Sequence, residues 1–237
     1  MAGHSKWANI KHKKAKEDAK RGHTFTKIIK EITVSAKTGG IPENNPHLRQ
    51  LIDKAKAANM PAENIIRAVK KGTGELPGVS YESITYEGYG PGGSAVIIET
   101  LTDNKNRTVA DLRQIFNRHN GNLGETGAVN WMFAKLGVIR GTIQGKTEDD
   151  LLEDLMEYDV QDISIDENAV TVTTSMPALF QIKDILVTLG MKIEDAELEW
   201  IAKSNLDVDS ETEEKAFGFF EALEDSDDVQ NVYSNLN

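Results

Sequence analysis

No cysteine occurs among the 237 residues. That excludes a disulfide framework and any zinc site built on thiolates, and it suits a reducing cytoplasm. No stretch approaches the roughly 18 consecutive apolar residues of a membrane span. The N-terminus is basic, yet no apolar segment follows it, so a secretory signal is not expected. Its use of Lys and His rather than Arg and Ser also argues against a mitochondrial transit peptide. Low-complexity tracts and short solenoid repeats are absent. The five histidines, at 4, 12, 23, 47 and 119, fit no metal-ligand spacing, so neither a metal nor a cofactor is expected.

Two phosphate-binding patterns are near misses. Gly88-Tyr89-Gly90-Pro91-Gly92-Gly93 satisfies G-x-G-x-x-G, but the residues after it read as a strand, whereas a dinucleotide site needs a helix there. The stretch is therefore a hairpin loop whose glycines permit positive φ. "GTIQGKTEDD" is one residue short of a P-loop, and Glu148, Asp149 and Asp150 crowd the helix start where they would repel a phosphate. Ser5 and Ser94 sit in no nucleophile elbow. The carboxylates read as a solvated face rather than an acid/base pair. An enzyme is not expected.

Charge is what the chain does have. The formal net charge is −11, yet five lysines precede the first acidic residue, Glu17. Residues 1–71 hold 16 Lys+Arg against 6 Asp+Glu, a net +10, which leaves −21 on the remainder. Such a division suits a cationic module that meets a polyanion, carried on an acidic body. The competing reading is that the two parts attract each other within the chain.

Length predicts two or three domains. After a polar arm, three short amphipathic helices are expected. One carries Phe25, Ile28, Ile29, Ile32 and Ala36 on one face and ends at Gly39. The next is capped by Asn45 with Pro46 in its first turn, and Leu48, Leu51, Ile52 and Ala55 form its face. The third runs from Pro61 to Lys71 and is closed by Gly72. Their cations Lys27, Lys30, Lys54, Lys56, Arg67, Lys70 and Lys71 are expected outside. "GTGELPGVS" reads as a linker.

Strand, Gly/Pro loop and strand follow from Tyr81. A helix with Val109, Leu112, Ile115 and Phe116 on one face comes next, then "GAVNWMF" as a further strand. From Ala134 the order is β-α-β-β-α-β, the ferredoxin-like split unit. A final acidic helix and a strand at Val229–Tyr233 lack a local partner and are expected to rejoin the sheet begun at Tyr81. The expected class is α+β: residues 1–77 as basic arm and helical domain, 78–133 with 205–237 as one α+β domain, and 134–204 as a second α+β domain inserted within it.

In the arm, Lys6, Lys11, Lys13, Lys14, Lys16, Lys20 and Arg21 interleave with Trp7, His12 and His23. Lysines engage phosphates as point charges, and counterion release supplies affinity. Trp7 can stack on an unpaired base or anchor the arm on the helices. The lysines equally fit a solvated tail. A second polar cluster, Asp103 to Thr108, can touch phosphate or simply cap a helix through Asn106.

"GHSKWANIKHKKAKEDAKRGHTFTKIIKEI" closely resembles the N-terminus of the YebC/PmpR family. "YEGYGPGG", "TDNKNRT", "GAVNWMF" and "LEDSDDVQNVYSN" are similar to that family's other hallmark stretches, in the same order. The resemblance implies three domains around a central cleft and a regulator of gene expression. Bacterial members are described as probable transcriptional regulators that bind promoter DNA. A mitochondrial relative activates translation of a cytochrome oxidase subunit, and some bacterial members are linked to stalled ribosomes. Carried over, it makes Lys6, Trp7, Lys11, His12, Lys13, Lys14 and Lys16 the contact candidates. Tyr86, Glu87, Tyr89, Gly90, Pro91, Gly92, Gly93, Asn104, Arg107 and Thr108 occupy motif positions with no assigned role. Near Ile201 the family pattern has a proline where this chain has Ala202, at a domain junction.

The expected function is a cytoplasmic regulator that binds DNA through the basic N-terminal region. A ribosome-associated translation factor that binds ribosomal RNA is the alternative, because no helix-turn-helix with base-reading side chains is evident and the acidic body would repel a duplex lying across it. A protein-interaction scaffold with its partner in the cleft is a further alternative.

Overall fold

A computed structural model describes residues 21–237, with side chains from Thr24 onward. Three helices come first: α1 (Arg21–Ser35), α2 (Pro46–Ala57) and α3 (Ala62–Gly72). Their apolar faces close a single core around Ile28, Ile32, Leu48, Leu51, Ala55, Ile65 and Ala68. The α2 cap is the expected one, with Asn45 Oδ1 accepting from Leu48 N at 3.0 Å. Gly72 has a different role from the one expected. It is the last residue of α3, and a Cβ there would lie 2.4 Å from the Thr33 carbonyl oxygen, so its smallness permits the close crossing of α1 and α3. The chain turns two residues later, at Gly74 (φ +82°).

The first sheet contains β1 (Glu82–Tyr89), β2 (Ala95–Thr102), β3 (Asn122–Leu123) and β8 (Val229–Ser234) in the order β3-β1-β2-β8, all antiparallel. Two helices, α4 (Lys105–Arg118) and α7 (Ser210–Glu224), cover one face through Val96, Ile98, Leu112, Phe116, Phe219, Phe220 and Val232. Phe116 and Phe219 meet edge to face at 4.9 Å, a geometry that the ring quadrupoles favour.

The second sheet lies between β3 and β8 in sequence. It holds β4 (Phe133–Thr142), β5 (Val160–Asp166), β6 (Ala169–Thr174) and β7 (Lys192–Ala202) in the order β5-β6-β4-β7. With α5 (Glu148–Leu155) and α6 (Leu179–Thr188) on one face, this is the ferredoxin-like arrangement. Thr147 and Asp150 form a full capping box at the start of α5.

The two sheets share a small core of Ala95, Ile97, Val129, Phe133, Ala202 and Tyr233. The strand β2 is therefore covered on both faces, which explains its nearly unbroken apolar sequence AVIIETLT. Its one acidic residue, Glu99, accepts from Lys135 Nζ at 2.8 Å and from Trp200 Nε1 at 3.1 Å.

Two expectations are corrected here. "GAVNWMF" is not a strand: residues 127–132 make a turn and a short 3-10 segment, and β4 begins only at Phe133. Nor do all the helical cations face outward. Lys30 is buried, and its Nζ donates to Asp228 Oδ1 (2.7 Å), the Asp227 carbonyl (2.7 Å) and the Leu101 carbonyl (3.2 Å). Lys27 Nζ donates to the Glu224 carbonyl at 2.8 Å, and Lys54 pairs with Glu197 at 2.7 Å. Lys56 and Arg67 pair with acids of their own helices, and Lys70 and Lys71 are exposed. The attraction of basic helices to an acidic body within the chain is thus part of the charge pattern.

Candidate functional site

The arm residues Lys6, Trp7, Lys11, His12, Lys13, Lys14, Lys16 and Lys20 lie outside the described residues, as does the side chain of Arg21. The motif residues are described, and they fall into two groups.

The first group surrounds Asp228, just before β8. Asn104, not Asn106, caps α4: its Oδ1 accepts from Arg107 N at 3.1 Å. This places Arg107 and Thr108 in the first turn. Arg107 Nη2 donates to Asp228 Oδ2 (2.9 Å) and Asp103 Oδ1 (2.7 Å), and Thr108 Oγ1 donates to Asp228 Oδ2 at 2.8 Å. Thr102 Oγ1 reaches the same oxygen at 3.2 Å, and Lys30 arrives from α1. Burial alone would push the Asp228 carboxyl up, but the donors Lys30, Arg107 and Thr108 outweigh it and hold it below the usual range. Tyr86, on the helix-facing side of β1, points its hydroxyl into the same interior, where no hydrogen bond meets it. Burial, then the Asp228 charge, raise its pKa. The ion pairs at Asp228 are complete, so this group anchors α1 and α4 to the first sheet. A shallow cleft of about 720 Å³ opens above it, lined by Thr26, Tyr81, Arg107, Arg118 and Asp225.

The second group surrounds Glu87, on the opposite face of β1. Its buried carboxylate accepts from the backbone N–H groups of Gly127 (2.9 Å), Val129 (2.8 Å) and Asn130 (2.8 Å). A carboxylate with three such donors fixes the turn that was expected to be a strand. Tyr89 OH donates to the Ala128 carbonyl at 3.2 Å, and so does Trp131 Nε1, also at 3.2 Å. Gly90, Pro91, Gly92 and Gly93 form the tight loop between β1 and β2, with positive φ at Gly92 (+70°) and Gly93 (+78°). That loop rests against α7: a Cβ at Gly90 would come within 2.7 Å of the Phe219 ring.

A larger cleft of about 880 Å³ lies where α2, α6, β7 and β8 meet. Gln50 Nε2 bridges it to the Ala196 carbonyl at 2.7 Å. The β7 acids Asp195, Glu197 and Glu199 share one side of the strand, and Arg140 pairs with Glu199 and stands 3.8 Å from Asp195. Burial, then repulsion from Glu197, push the Asp195 carboxyl up to about 7 against the pull of Lys54 and Arg140. Burial pushes the nearby His47 down. Among the described residues no group of His, Asp and Glu side chains is arranged to hold a metal ion. Within the same residues no helix is long and apolar enough to cross a membrane.

Sequence reasoning missed Lys30, Asp228 and Trp131. Asp228 and Trp131 both sit in hallmark stretches, which was the available signal. Lys30 carried none, since a lysine in an amphipathic helix is expected in solvent.

Comparisons with known proteins cover nearly the whole chain. The family model described as the TACO1/YebC protein N-terminal domain matches residues 5–75, and the model for the TACO1/YebC second and third domain matches residues 81–236. A "Probable transcriptional regulatory protein" from Dictyoglomus turgidum is 50% identical over 238 residues, covering 100% of this chain and 96% of the relative. One from Persephonella marina is 53% identical over 239 residues, with the same coverage of 100% and 96%. The crystal structure of a conserved hypothetical protein from Aquifex aeolicus superposes with a TM-score of 0.83 at 43% identity, covering 93% of this chain and 91% of that one.

Proposed function

The chain belongs to the TACO1/YebC family, and from that premise we propose that it is a non-enzymatic regulator of gene expression that binds nucleic acid through its basic N-terminal region. Transcriptional control through DNA is the first reading, in keeping with the names of its relatives. The observation that carries the proposal is the charge division, +10 on residues 1–71 against −21 on the rest. The arm lysines supply phosphate contacts in the cytoplasm, and the acidic sheets set how a polyanion can approach.

A second reading is a translation factor on ribosomal RNA. The −21 body favours it, because it would repel a duplex lying across it. The test is binding to promoter duplex, random duplex and ribosomes, titrated against salt. Affinity for the true target falls steeply with salt, and replacing Lys11, Lys13 and Lys14 with Ala lowers the slope by up to about 2.7 on duplex DNA. An unchanged slope removes the role given to the arm. Equal binding to random and promoter duplex, with tighter ribosome binding, selects the second reading.

A further inference from the structure

The turn after β3 holds a side chain in an unusual position. Val129 and Phe133 are buried in the core between the sheets, and Trp131 between them is 65% exposed. Exposure of so large a ring removes a substantial hydrophobic contribution unless something covers it. The position is enforced rather than loose. Glu87 fixes the backbone on the N-terminal side through Gly127, Val129 and Asn130. Met132 N donates to the Val129 carbonyl at 2.9 Å, and Lys203 N to the Met132 carbonyl at 2.9 Å. The indole itself is oriented by its N–H bond to the Ala128 carbonyl.

Tyr89 is the second exposed aromatic here, at 37%, and its hydroxyl shares the Ala128 carbonyl with the indole. The polar ends of both rings converge on one atom, so what the pair offers to solvent is π surface whose N–H and O–H donors are already bonded. Lys203 lies alongside. Its Nζ donates to the Trp131 carbonyl at 2.8 Å, and the remaining ammonium protons of this exposed side chain face solvent. Asn130, exposed and next in the chain to Trp131, carries an amide that can pair with a base edge.

We infer that Trp131 and Tyr89 form a stacking platform for an unpaired nucleobase, with Lys203 taking the adjoining phosphate. The inference rests on the nucleic-acid reading above and deepens it, since it assigns a contact on the acidic body to single-stranded nucleic acid. Flat rings whose donors are already bonded suit stacking, which is tolerant of base identity, and one cation beside them suits a single backbone phosphate. A duplex keeps its bases inside the helix and cannot use the platform.

The experiment measures binding of oligoadenylate and oligouridylate single strands, and of their duplex, to the full chain and to W131A and W131F. Stacking predicts that W131A weakens single-strand binding roughly tenfold, more for adenine than for uracil, and that W131F retains most of it. The salt slope stays unchanged because no charge is removed. Circular dichroism confirms that both variants fold. Wild-type affinity of W131A for single strands overturns the platform while leaving the arm's role intact. An equal loss on single strand and duplex also overturns it, since that outcome marks a structural effect. A wild-type protein that binds none of these probes, nor ribosomes or DNA, removes both this inference and the reading it rests on. Trp131-dependent binding of a polyproline peptide, without an oligonucleotide effect, assigns the rings to a protein partner and overturns the nucleobase assignment.

Discussion

Lys30→Met is the most informative perturbation of the fold. The Lys30 and Asp228 side chains are 8% and 7% exposed, and the ammonium donates to one carboxylate oxygen and two carbonyls at 2.7, 2.7 and 3.2 Å. All three of its protons are used. Methionine keeps much of the stem volume and removes every one of these bonds. Stranding a buried charge costs about 3–5 kcal/mol. Asp228 is not fully stranded, because Arg107, Thr108 and Thr102 still donate to it. The expected loss is therefore about 2–4 kcal/mol, with the two carbonyls left without donors as the main cost.

Asp228→Asn costs a similar amount, since its one amide oxygen can serve either Lys30 or the Arg107 and Thr108 side, and its NH2 group then opposes donors on the other. In the double variant the second change costs less than in the wild type, so the cycle shows coupling of at least ~1 kcal/mol. Urea unfolding followed by fluorescence and circular dichroism measures it, with the m-value reporting whether α1 to α3 separate from the sheet before global unfolding. The folded pKa of Asp228 is depressed, so its contribution is present above the unfolded value near 4 and is lost as pH falls through the folded value. Asp228→Asn should therefore flatten the acid limb of stability below about pH 4. Additivity of the two single variants to within about 0.5 kcal/mol would refute the buried latch.

Two further outcomes follow from the sites. Glu87→Gln places an amide nitrogen against N–H groups that need an acceptor, so it should cost about 2–3 kcal/mol and alter the near-ultraviolet circular dichroism of Trp131; an unchanged melting temperature and spectrum would contradict the cradle. Asp195→Asn should stabilise the protein at pH 8. The raised Asp195 pKa of about 7 means the folded state holds its proton more tightly, so that contribution is full below the unfolded value and disappears as pH rises through 7. With the carboxyl a quarter exposed and Glu197, Glu199, Lys54 and Arg140 around it, the gain is about 1–3 kcal/mol at pH 8 and near zero at pH 4. Urea midpoints at the two pH values measure it, and parallel curves would remove the assignment.

The readable parts of the fold are those with local causes. Asn45 and Thr147 cap their helices with bonds reaching three residues, and the apolar stripes of α1, α2 and α4 face their cores at helical spacing. The order of elements from Phe133 to Ala202 was legible because each strand or helix carries its own period. The turn at 127–132 was not. Val129 and Phe133 are buried and apolar, as in a strand, yet the hydrogen-bond acceptor that bends the chain is Glu87, 40 residues earlier. Lys30 fails to announce itself for the same reason: its partner lies 198 positions away. Long-range polar contacts leave no periodic trace, so the groups around Asp228 and Glu87 emerge only from the folded chain.

This geometry also sharpens the meaning of the charge division. Within α1 to α3, Lys27 and Lys30 reach the first sheet, Lys54 reaches β7, and Lys37 donates to Ser80 and the Tyr81 carbonyl. Lys56 and Arg67 have partners on their own helices. Of these, Lys30, Lys54, Lys56 and Arg67 already hold a carboxylate where a phosphate would have to sit. A polyanion that displaced them would exchange one anion for another, with little gain in counterion release. On the proposed nucleic-acid reading, the arm offers seven cations, between Lys6 and Arg21. Seven phosphate contacts on duplex DNA correspond to a salt slope of at most about 6, so a steeper slope requires cations outside the arm.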